Sequence, residues 1–83
     1  MVYIYILLLK QQKYYVGKTI NPNYRINDHL SEIGSYWTNK YKPLNILCLI
    51  DNCDDSDENK YTIETMKKYG INNTRGGIFI HEK

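Results

Sequence analysis

Two tyrosine-bearing clusters stand ten residues apart near the start of the chain: Tyr3-Ile4-Tyr5, and Tyr15-Val16-Gly17 followed at once by Lys18-Thr19. Phenols beside a glycine and a lysine make a polar cluster in apolar surroundings, and such groups need partners or a purpose. Further along, Glu58 shares one helical side with Thr62, Thr65 and Tyr69, which follow it by four, seven and eleven residues. A carboxylate on an inward face costs desolvation unless it is paired or binds a cation. Between these clusters, Arg25 and His29 are four residues apart at the margin of an apolar stripe of Ile26, Leu30 and Ile33. Each feature also has a plainer reading. Arg25 and His29 suit ordinary edge residues, and Glu58 suits a capping box whose N-cap is Asp55. Taken with the hairpin tyrosines, Lys18 and Arg25, a metal site at Glu58 is the better account.

The elements that must position these groups follow from pattern. Val2 to Leu9 is an unbroken apolar and aromatic run that suits a buried strand. Lys10 to Lys13 is a polar break too short for a crossover helix, so Tyr14 to Gly17 returns as the second strand of an antiparallel hairpin. An odd number of loop residues puts Tyr5 and Tyr15 on one face, and an even number separates them. Asn21-Pro22 starts a helix that runs to about Ile33 and ends at Gly34. Ser35 to Lys42 is aromatic and basic, a short helix or irregular turn stopped by Pro43. Its aromatics suit base stacking, but core filling is the favoured reading. Leu44 to Ile50 reads as a third strand, central or well covered. A last helix spans about Ser56 to Tyr69, closed by Gly70. The tail from Ile71 to Ile80 is a turn-rich return whose apolar end packs on the sheet.

Charge is unevenly spread. Residues 1–45 carry six Lys/Arg against Asp28 and Glu32, whereas residues 46–83 carry five against seven acids. The basic half holds the tyrosine clusters, which suits a polyanionic ligand there, although a solvated surface with scattered lysines is the commoner meaning of such a bias. A hydrophobic content of 42% argues for a folded chain rather than disorder. Cys48 and Cys53 lack zinc-finger spacing to each other or to His29 and His81, so both are expected reduced, with Cys48 in the core. The apolar N-terminus is too short for a membrane span and lacks signal-peptide features, so an intracellular, unsecreted protein without a membrane partner is expected. Eighty-three residues are expected to form one domain, 1–83.

These residues resemble the GIY-YIG nuclease family. Tyr3-Ile4-Tyr5 and Tyr15-Val16-Gly17 are similar to its two namesake motifs, and Lys18, Arg25, His29, Glu58 and Asn73 fall where the family carries its other site residues. Asn72 fits nearly as well as Asn73. The stretch from Met66 to Gly77 is similar to tails of small stand-alone members from large DNA viruses and some microbes. Tyr3 stands in place of the family's glycine, Val16 in place of isoleucine, and Thr74 where related tails carry valine.

The resemblance implies an α+β fold: a three-stranded antiparallel sheet flanked by helices, in the order β-β-α-(α)-β-α, which the pattern reading also reaches. It implies an endonuclease that hydrolyses DNA with one divalent metal, Mg²⁺ or Mn²⁺, held by Glu58. Arg25 would clamp the phosphate, and Gly17, Lys18 and Asn73 would join it in binding substrate. Tyr5 would orient or deprotonate the water, with Lys18 lowering its pKa, and Tyr15 and His29 would support the water network. Viral membership would place it in the host cytoplasm or nucleus, in DNA repair or recombination. The alternative is a silent or partner-dependent nucleic-acid-binding module of the same fold. Because the sequence shows no separate DNA-binding domain, structure-selective cutting, or cutting directed by a partner protein, is expected. Oligomeric state stays open.

Overall fold

A computed structural model of the chain describes residues 1–20 and 36–77. In chain order these form strand β1 (Val2–Leu9), a 3₁₀ turn (Lys10–Gln12), strand β2 (Lys13–Thr19), helix α1 (Tyr36–Lys40), strand β3 (Pro43–Cys53), helix α2 (Asp57–Tyr69), a second 3₁₀ turn (Ile71–Asn73) and strand β4 (Thr74–Gly76). The helix expected over about 21–33, with Arg25 and His29, lies outside the described residues. Among the described residues no helix is long and apolar enough to cross a membrane.

β1 is central because it is apolar on both faces. One face of it, Val2 and Ile4, packs with Val16 and Cys53 beneath Tyr61 of α2. On the other face, Leu7 and Leu9 pack with Trp37 of α1. The strand order is β3-β1-β2-β4, with β1 antiparallel to both neighbours and β4 parallel to β2. The expected three antiparallel strands are therefore the larger part of a mixed four-stranded sheet. The fourth strand escapes pattern reading because it is three residues long and runs straight into Gly76-Gly77. It can reach β2 because a Cβ on Gly76 would strike the Val16 carbonyl and the Thr62 hydroxyl.

Two further expectations are corrected. β3 occupies an edge, not the centre, and leaves Leu44, Leu47 and Leu49 exposed. Its pairing to β1 slips at three places, which bends the strand and blunts the edge. Cys48, expected in the core, is exposed, whereas Cys53 is buried opposite Val2, its thiol 3.4 Å from the Asp51 carbonyl. Core filling holds for Trp37, which is buried and donates its indole N–H to the Tyr14 carbonyl at 2.9 Å.

On the inner side of α2, Thr62 and Thr65 are buried, and each hydroxyl donates to the carbonyl four residues back, Glu58 and Tyr61. Thr74 in β4 is different. Its hydroxyl is fully buried and has no hydrogen-bond partner among the described residues. An orphaned hydroxyl carries its desolvation cost uncompensated. Thr74→Val is expected to raise unfolding free energy by ~1 kcal/mol, read as a higher midpoint in urea at unchanged slope.

Candidate functional site

The hairpin loop holds three residues, Lys10–Gln12, an odd number. Tyr5 consequently pairs with Gly17 and Leu7 with Tyr15, which puts both phenols on one face. Their rings lie 6.4 Å apart between centroids, tilted by 43°. Tyr5 reaches that position by lying across the bare α-carbon of Gly17, where a Cβ would collide with the end of its ring and its hydroxyl. The glycine of the second cluster is thus the floor under the first phenol.

Glu58 sits in the first turn of α2, half-buried. It does not close a capping box. The reach-back is made by Asp57, whose carboxylate accepts the Asp54 N–H at 2.8 Å, and Ser56 at the N-cap makes no side-chain cap bond. Burial pushes the Glu58 carboxyl above its ordinary value, Lys18 pulls it back, and Asp55 adds to the rise. Its negative charge is felt in turn by the phenols. Tyr5 is pushed well above the usual phenol range by burial first, then by Tyr15 and by Glu58. Tyr15 is raised by burial and then by Glu58. Tyr5 and Tyr15 lie on the face of the sheet lined by Leu7 and Leu9, and α2 packs through Tyr61 on the opposite one; Glu58, at the start of α2, is linked to both phenols and to Lys18 by its charge.

Burial, Tyr15 and Glu58 raise the Tyr5 phenol, which outweighs the easing towards phenolate expected from Lys18. Its ammonium lies 3.5 Å from Asp55, an exposed pair, and its charge favours the ionised form of Glu58. Asp55, expected at most as a cap, is therefore a neighbour of the group. The signal in the sequence was the run of acids before α2, which looked like an ordinary solvated loop.

Asn73 makes bonds of its own. Its side-chain oxygen accepts from the Lys13 ammonium at 2.7 Å, and its amide donates to the Tyr69 carbonyl at 2.8 Å. It fastens the end of α2 to the start of β2, beside the stacked rings of Tyr14 and Tyr69, 3.9 Å apart. It directly precedes Thr74, which pairs with Tyr14 next to Tyr15. Asn72 is exposed. Arg25 and His29 lie outside the described residues.

The first turn of α2 is held against the sheet by the tail. Gly77, at φ 53°, passes so close to Asn59 that a Cβ would strike the Asn59 side-chain oxygen. A glycine is needed there on both conformational and spatial grounds. The donors gathered here are oxygens, which suit hard cations. Among the described residues no three His, Cys, Asp or Glu converge. Among the described residues Glu58 offers a carboxylate rather than a protein cage, a shell compatible with Mg²⁺, which keeps waters and takes phosphate oxygens.

A family model described as the GIY-YIG catalytic domain matches residues 1–74. No curated protein and no solved structure matches the chain.

Proposed function

We propose, since this chain belongs to the GIY-YIG family of nuclease catalytic domains, that it is an endonuclease hydrolysing DNA phosphodiesters with one divalent cation. The observation that carries this reading is that the Tyr5 and Tyr15 phenols share one face, with Tyr5 lying across the bare α-carbon of Gly17, while Glu58 is left free of the helix cap.

In the reaction, a water oxygen bonds to phosphorus, the bond from phosphorus to the 3′-oxygen breaks, and that oxygen leaves with a proton. Tyr5 and Tyr15 hold their protons at neutral pH, because burial and the nearby carboxylate oppose phenolate. Tyr5 therefore orients the attacking water through its oxygen, and Tyr15 braces Tyr5. Lys18 favours the ionised form of Glu58. Arg25 clamps the phosphate as charge grows on it, and His29 supports the water network, as the family resemblance implies. A divalent cation at Glu58 would supply positive charge to the scissile phosphate and the departing oxygen.

The test is cleavage of nicked, branched and plain duplexes with Mg²⁺ or Mn²⁺. Arg25→Ala is expected to lose at least ~10²-fold in rate, and chelation to stop cutting. Binding without nicking on every substrate would favour a silent module instead.

A further inference from the structure

The described residues 1–20 and 36–50 contain five lysines and no Asp or Glu. Lys18 lies at the Glu58 end of β2, and the other four gather at the opposite end, around the hairpin turn. There the Lys10 N–H donates to the Lys42 carbonyl at 2.9 Å, which joins the turn to the start of β3. Both side chains are exposed. Between them and the sheet, the Tyr41 ring has the Lys13 ammonium 5.3 Å and the Lys40 ammonium 5.5 Å from its centroid. Tyr41 packs on the same Leu7, Leu9 and Trp37 cluster as Tyr5 and Tyr15, so all three tyrosines belong to one face of the sheet.

We infer that the hairpin-turn end, through Lys10 and Lys42, is a second contact station for the phosphate backbone of the substrate, set apart from the cutting centre. This rests on the nuclease reading and adds where the polynucleotide runs: along β2, from Gly17 towards the turn. Lys13, paired with Leu9 just before the turn that holds Lys10, lies roughly 13 Å along the strand from Gly17, so the station is at least about four steps of duplex away at 3.4 Å each. Substrates must therefore extend several base pairs to one side of the cut to feel the turn. Lysine ammoniums on a flexible stem act as point charges on phosphate, so this station grips without reading sequence.

The test is duplex binding as a function of salt, in chelator to suppress cleavage, for the wild type, Lys10→Gln/Lys42→Gln and the charge-keeping Lys10→Arg/Lys42→Arg. The glutamine variant is expected to lose ~0.9 per lysine from the slope of log affinity against log salt. Its deficit relative to the wild type then shrinks about tenfold between 50 and 200 mM salt. The arginine variant is expected to keep the wild-type slope. A wild type that cleaves DNA, beside a glutamine variant with an unchanged slope, overturns this inference and leaves the nuclease reading standing. A wild type that binds no DNA at any salt overturns both.

Discussion

Glu58→Gln is expected to lower the cleavage rate by at least ~10²-fold while leaving the fold intact. The substitution keeps size and removes charge, so it separates an electrostatic role from a packing role. Stability should not suffer, because the start of α2 is closed by Asp57 and not by Glu58. The sign can be followed further. The Glu58 carboxyl is raised in the folded chain, so its ionised form is penalised there above its ordinary pKa. Removing the charge relieves that penalty, and the variant should melt at the same temperature or slightly higher at neutral pH in chelator. Full cleavage by this variant would end the role assigned to the acid. A collapse of the melting temperature would show that the residue serves the fold.

The second large effect is expected from the smallest change. Gly17→Ala places a methyl group where the end of the Tyr5 ring now lies. The ring is the far end of a movable side chain, so it can swing away at modest cost in stability. It then leaves its position beside Tyr15 and near Glu58. Misplacing a reacting group by about 1 Å can cost ~10²-fold, and a loss of that order in kcat is expected. A double-mutant cycle gives the sharper measurement. If Gly17 acts through Tyr5, then Tyr5→Phe costs activity in the wild type and almost nothing further in the Gly17→Ala background. Additive losses would mean that Gly17 serves the substrate directly.

Much of this architecture was legible in the sequence where periodicity was strong. The hairpin could be read from one apolar run, a polar break and a second run. Its three-residue turn then decided the shared face of Tyr5 and Tyr15. Helix α2 was legible from the spacing of Tyr61, Thr62, Thr65, Met66 and Tyr69, and its end from Gly70. Strand rank in the sheet was not. Leu44 to Ile50 has the composition of a covered strand, but apolar content alone cannot say which of two apolar strands takes the middle, and β1 does. The same ambiguity misplaced Cys48, which is exposed. Strand β4 was hidden because its pairing is non-local and only three residues long. At the site, residue types were legible but their local duties were not. Which acid caps α2, which partner Lys18 takes and what Asn73 fastens all depend on distances of a few ångströms between elements far apart in the chain.

The late strand has a consequence for how activity arises during synthesis. The phenols belong to a hairpin whose contacts are local, and such contacts close quickly. The turn bearing Glu58 is held by Gly76 and Gly77, and the tie from Lys13 to Asn73 spans sixty residues. Closing so long a loop must wait until the distant segment has been made. A ribosome-bound chain that has emerged only as far as α2 would thus own every reactive group of the hairpin and helix without the clasp that aligns them. The alignment of these groups therefore waits on that clasp.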